Sequence, residues 1–168
     1  MFARLELRPG RATWRGVAPL RAALVAAALA ATAAGAPVRA EGPGHMPHVE
    51  LNIGVHLIHA ELAANPADRE LGLMFRRELG TNEGMLFDFV EPAQHCMWMR
   101  NTYLPLSVAF LDKAGAIINV EEMQAQTDAT HCAVHPARYA LEMPARWFAE
   151  HRVRPGTVID GVVRAAPH

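Results

Sequence analysis

The spacing of apolar and polar residues changes along the chain, and each change marks an element. Ala22 to Ala34 is a stretch of thirteen residues without a charge, rich in alanine and preceded by arginines. It falls short of the ~20 apolar residues that span a bilayer and has the length of a signal-peptide apolar region. Gly35 and Pro37 end it, and Val38-Arg39-Ala40 places small or short side chains where a signal peptidase reads. Cleavage is therefore expected after Ala40, with Gly35 or Ala36 as earlier alternatives. The competing reading is an uncleaved anchor, which the weak hydropathy of an alanine tract disfavours. Residues 1–40 thus read as a cleavable signal peptide. Residues 41–48, a Gly/Pro/His stretch without periodicity, read as a flexible leader.

From residue 49 to residue 168 the pattern reads as one domain. Val49, Leu51 and Ile53, then Val55 and Leu57, and later Ile58, Ala60 and Leu62 alternate roughly, which predicts two strands joined near Gly54. Asn65-Pro66 is a helix start, with a capping side chain, proline in the first turn and Asp68 facing the positive end of the dipole. Leu71, Met74, Phe75 and Leu79 fall on one helical face, Gly80 stops the helix, and Thr81 to Gly84 makes a turn. Further strands are predicted over Gly84–Phe89, Met97–Thr102 and Tyr139–Met143. A hairpin joins Ser107–Asp112 to Ala116–Val120 through Lys113-Ala114-Gly115. A short helix after Pro144 contains Trp147 and Phe148, and Arg154-Pro155-Gly156 turns into a last strand over Thr157–Val163. The sum is a small α+β domain of seven or eight short strands with two short helices, arranged as one curved, mostly antiparallel sheet or partial barrel.

Charge and cysteine content add a location. The 168 residues are 51% hydrophobic and 20% charged with a formal net charge of -1, but residues 1–40 carry +5 and residues 41–168 carry -6. A folded part of that sign repels phosphate, so no nucleic-acid partner is expected. All basic residues but Lys113 are arginine, a bias of GC-rich bacterial genomes. The expected location is periplasmic or secreted, with membrane contact only during export. In that oxidising compartment Cys96 and Cys132, 36 residues apart, read first as a disulfide. Closing such a loop is worth about 4 kcal/mol in the chain-entropy account. Two buried free thiols are the alternative.

The order Gly72-Leu73-Met74-Phe75-Arg76, Gly84-Met85-Leu86-Phe87, Trp98-Met99-Arg100-Asn101-Thr102 with Leu104-Pro105-Leu106, Ala109-Phe110-Leu111-Asp112 and Ala140-Leu141-Glu142 resembles the domain of unknown function 192 family. The resemblance covers about Val49 to Val163. It departs at Ser107, where the family commonly has an acidic residue, and at Arg146, near where many members carry glycine. It implies a small α+β domain, often exported, and no activity.

The residues themselves supply candidate chemistry. Arg100 and Glu142 each interrupt an apolar run, so each must pair, snorkel or meet a ligand. An Arg100–Glu142 ion pair tying two strands is the expected structural outcome. Trp98, Arg100, Asn101, Thr102 and Glu142 form the candidate ligand-binding patch for an unknown small ligand or envelope protein. A non-catalytic binding or accessory module is the favoured function. A small hydrolase with a polar cluster around Glu142 and Arg100 is the first alternative, and Ser107 with His95 or His135 is a weaker catalytic grouping. A copper protein using Met74, Met85 and Met99 or the histidines of His45-Met46-Pro47-His48, His131 and His135 is the second alternative. Methionine at core spacing is ordinarily packing, and His56 and His59 would point to opposite faces of a strand, so no metal is assigned. No Walker A, Rossmann glycine or G-x-S-x-G motif occurs, and no cofactor is expected.

Overall fold

The computed structural model describes residues 46–165 as eight strands and three short helices. In order these are β1 (His48–Ile53), β2 (His56–Ala63), α1 (Pro66–Leu71), β3 (Glu83–Ala93), β4 (Cys96–Met97), β5 (Leu106–Leu111), β6 (Ile117–Met123), β7 (His131–Cys132), β8 (Ala137–Pro144), α2 (Trp147–Glu150) and α3 (Val162–Ala165). The predicted signal peptide, its cleavage after Ala40 and leader residues 41–45, His45 included, lie outside the described residues. Among the described residues no helix is long and apolar enough to cross a membrane.

Six strands form one mixed sheet in the order β1-β2-β3-β8-β5-β6, antiparallel except where β3 runs parallel to β2. The sheet stays open, with β1 and β6 at its edges, and does not close into a barrel. Every residue of β5 is buried, as expected of a central strand covered on both faces. One face gathers Leu51, Ile58, Leu86, Leu111, Leu141 and Met143 under Trp147, Phe148, Ile159 and Val162. The other gathers Met85, Phe87, Val108, Phe110 and Ala140 under Met46, Leu73, Met97, Met99 and Ala133. Packing begins earlier than the hydrophobic pattern predicts: Met46 is buried, and the Pro47 carbonyl accepts the Leu62 N–H at 2.8 Å.

The two hairpins, the Asn65 cap and the short helix with Trp147 form as the sequence predicts. Asn65 Oδ1 accepts the Asp68 N–H at 2.9 Å, and Gly54 turns β1 into β2 with φ 61°. Three predicted elements are corrected. The helix does not reach Gly80; it ends at Gly72, whose φ of 49° breaks it and whose N–H donates to the Asp68 carbonyl. A side-chain carbon at Gly72 would press on Phe87, so this is also where the chain must pass close to the sheet. The predicted strand Met97–Thr102 shrinks to β4, because the chain turns at Arg100-Asn101, where Asn101 adopts φ 60°. The last strand is absent. Gly161, with φ 98°, interrupts it. Residues 156–160 instead make isolated bridges: Asp160 exchanges two backbone bonds with Asn52, Gly156 and Thr157 bond Ile117, and Ile159 bonds Gly115. α3 follows as a third helix.

The short pair β4–β7 sets Cys96 opposite Cys132, and the two are disulfide-bonded with Cα atoms 4.0 Å apart. Asn119 of β6 ties this arm to the sheet: its Nδ2 donates to the Cys132 carbonyl, and its Oδ1 accepts the Val134 N–H. The departures at Ser107 and Arg146 meet in space. Arg146 holds φ 69°, a conformation suited to glycine, and its N–H donates to both Ser107 Oγ and Glu122 Oε2.

Candidate functional site

Glu142 sits in the middle of β8, opposite Met85 of β3 and Val108 of β5, and shares their apolar face. Strand alternation forces this: with Leu141 and Met143 committed to the other core, Glu142 must point into this one. The residue is only 4% exposed. Among the described residues no group hydrogen-bonds its carboxyl. Burial pushes its pKa from 4.5 up to about 8 by desolvating the charged form, so the group is predominantly neutral at pH 7.

The carboxyl lies at a cleft of about 130 Å³ between the sheet face, the segment after α1 and the loop after β4. Leu73, Met74, Phe87, Phe89, Met97 and Trp98 supply apolar walls, and Arg69, Glu70, Arg100, Thr102 and Glu142 supply polar groups. Thr102 is buried like Glu142, and among the described residues no group hydrogen-bonds its hydroxyl. Arg69 gives its guanidinium to the carbonyls of Ala64 and Asp88 and has no carboxylate within ion-pair reach among the described residues. A larger hollow of about 290 Å³ is lined by Leu79, Leu104, Pro105, Leu106, Pro144 and Ala145. It offers no hydrogen-bonding side chain, so the chemistry centres on the Glu142 cleft.

Four of the five candidate ligand residues line this cleft: Trp98, Arg100, Thr102 and Glu142. Asn101 instead serves the turn beside it, where its carbonyl accepts the Phe75 N–H and its Nδ2 reaches Met74 Sδ at 3.8 Å. The expected Arg100–Glu142 ion pair is not formed. Arg100 leaves the sheet at the turn, donates to Asp128 at 2.7 Å in an exposed pair, and lies over the Trp98 ring at 4.7 Å. The buried ion pair of the domain is Asp88–Arg138, which the sequence reading missed because Arg138 stands just before the apolar run of β8. Arg69, Glu70, Phe87 and Phe89 were also missed as lining residues, since the first two belong to α1 and the others to β3, and only the packing of α1 beside the sheet brings the two elements to one cleft.

The weaker candidates disperse. Ser107 is buried as the acceptor for the Arg146 N–H, while His95 stacks on Phe89 with ring centres 3.9 Å apart. His131 faces Glu121 at 3.9 Å, and Cys132 is oxidised. His56 packs against His151 and Trp147, whereas His59 faces Glu50, so the two histidines do diverge. Among the described residues no group of three or more His, Cys, Asp or Glu is placed to hold a metal ion.

The profile of the domain of unknown function 192 (DUF192), described as Uncharacterized ACR, matches residues 49–161. The chain belongs to the DUF192 family. Two crystal structures are similar to it. One, from Sinorhizobium meliloti 1021 and described as a candidate transcription regulator, is 37% identical with a TM-score of 0.64, covering 69% of this chain and 93% of that one. The other, a protein of unknown function from Novosphingobium aromaticivorans DSM 12444, is 29% identical with a TM-score of 0.67, covering 71% and 89%. No curated protein matches the chain. In this DUF192 domain four of the five sequence words behind the resemblance contribute to the cleft. Gly72, Leu73 and Met74 come from the first, Phe87 from the second, Trp98, Arg100 and Thr102 from the third, and Glu142 from the last.

Proposed function

We propose that this DUF192 domain is an exported binding module of the bacterial envelope that holds a small ligand in the cleft over Glu142. One observation carries the reading: a carboxyl 4% exposed, without a hydrogen-bond partner among the described residues, lines an accessible cleft. An unpaired polar group in a low-dielectric site is costly, and a ligand that satisfies it recovers that cost. Apolar walls with a few convergent polar groups fit a small-molecule site. Export is supported by the charge-free Ala22–Ala34 segment behind an arginine-rich start and by the Cys96–Cys132 disulfide.

The test of binding is a thermal-shift screen of the purified chain against organic acids, amides, amines, saccharides and metal salts. At least one class is expected to raise the midpoint by mass action, and Glu142→Leu to abolish that shift. A screen without hits, or hits indifferent to Glu142→Leu, overturns the reading. Intact mass of the envelope protein is expected to begin at Glu41; retention of Ala22–Ala34 overturns export with cleavage.

A second reading is favoured by the same carboxyl. An acid held at about 8 in a cleft is a suitable general acid for a hydrolase. The lining offers the buried Thr102 hydroxyl and the exposed Glu70 carboxylate as companions, with no histidine among the described lining residues. Glu142→Gln separates the two readings: binding survives it, acid catalysis does not.

A further inference from the structure

We propose that the ligand is a small carboxylic acid with an apolar body, its carboxylate seated where Glu142 and Thr102 line the cleft. The inference rests on the binding reading above and names the ligand class for that same site. The two buried side chains set the requirement. A neutral Glu142 carboxyl presents an O–H that needs an acceptor, and the Thr102 hydroxyl presents a second rotatable O–H. A carboxylate has acceptor lone pairs for both, and a hydrogen bond to an ionised acceptor is about twice as strong as one to a neutral group.

Charge around the cleft selects the same class. Its charged lining residues are Arg69, Glu70 and Arg100. Glu70 is exposed and Arg100 shares its charge with Asp128, whereas the Arg69 guanidinium meets only carbonyl oxygens. β3, β5 and β4 bring Met85, Phe87, Val108 and Met97 to this side of the sheet, with no further charge. An ammonium ligand would therefore approach the Arg69 guanidinium, whose charge no carboxylate offsets among the described residues, while a carboxylate is drawn to it. The aromatic rings of Phe87, Phe89 and Trp98 then cover an apolar body.

The probes are benzoate, benzamide and benzylamine, titrated into the full chain and followed by the Trp98 indole N–H resonance. Benzoate is expected to bind at least tenfold more tightly than either of the others at pH 6.5. Above about pH 8 Glu142 loses its proton, so the donor is lost and two anions face each other. Benzoate affinity is expected to fall about tenfold per pH unit there, although benzoate itself stays ionised throughout. Glu142→Gln keeps a donor amide and is expected to flatten this profile. Thr102→Val is expected to weaken benzoate several-fold at every pH. The wild-type profile needs no variant to fold, so the inference stays testable if Glu142→Gln fails. Benzamide or benzylamine binding as tightly as benzoate, or benzoate affinity that is flat or rising through pH 8, overturns the ligand class while leaving the binding reading intact. Failure of every ligand class to bind overturns the binding reading itself.

Discussion

At the scale of single residues, Glu142 carries opposed demands. Its strand neighbours bury it, and nothing in the described protein answers its charge, so it keeps its proton to about pH 8 while the unfolded chain releases it near 4.5. Between those values the native state binds more protons than the unfolded state, and stability falls as pH rises through that window. The contribution is constant below about 4.5 and again above about 8, and the loss across the window is a few kcal/mol. Glu142→Gln has no such proton to release. Urea unfolding at pH 5, 6.5 and 8 is expected to show the variant gaining on the wild type as pH rises, by a few kcal/mol at pH 8. A difference that stays constant with pH would show that Glu142 does not titrate in this range. The sequence made both Arg100 and Glu142 conspicuous, because charges interrupting apolar runs need a reason. It did not reveal that they serve different surroundings. The positive φ of Asn101 turns Arg100 outward to Asp128, and no periodicity rule marks an asparagine in that conformation.

Elements with strong alternation or clear turn chemistry were legible: both hairpins, the Asn65 cap and the buried runs of β5 and β8. The segments that line the cleft were not. Residues 73–79 carry helical spacing but run irregularly, since Gly72 breaks the helix and Phe75 spends its N–H on the Asn101 carbonyl. Residues 98–102 carry strand-like alternation but have no sheet partner, and the disulfide arm β4–β7 holds their start in place. Tertiary contacts decide such segments, and local pattern does not contain them. Gly84 shows the same limit on one strand. It reads as an ordinary strand start, yet β3 passes so close to β8 there that a side-chain carbon would collide with the Glu142 carbonyl oxygen and lie 2.6 Å from Met143 Sδ. Gly84→Ala is expected to destabilise by about 1–3 kcal/mol through this overpacking, and to shift the backbone amide resonances of Glu142 and Met143. An alanine variant of wild-type stability would mean that the two strands separate without cost.

At the scale of the whole described molecule, one sheet divides two cores, and the cleft belongs to only one of them. The face under α2 is closed by large side chains, Trp147 and Phe148 among them. The opposite face is closed piecemeal by Met46, Leu73, Met97, Met99 and Ala133, which come from the segment before β1, the turn after α1 and the disulfide arm. A face covered by separate segments leaves gaps, and this is why the accessible carboxyl is found there. It also makes the start of the domain part of the site's support. Hydrophobic alternation places that start at Val49, but Met46 fills the second core and Pro47 accepts the Leu62 N–H. A chain beginning at Val49 loses that methionine, that acceptor and the His48–Glu61 pairing of β1 with β2. Losing a buried methionine alone costs about 2–5 kcal/mol. Urea unfolding is therefore expected to show the chain beginning at Val49 less stable than one beginning at Glu41 by at least about 2 kcal/mol. Hydrogen exchange is expected to quicken in Leu62 and Ala63 and to change little in Trp147 and Phe148, because the other core is intact. Equal stability of the two chains would show that residues 46–48 rest on the surface and that the domain begins where its alternation does.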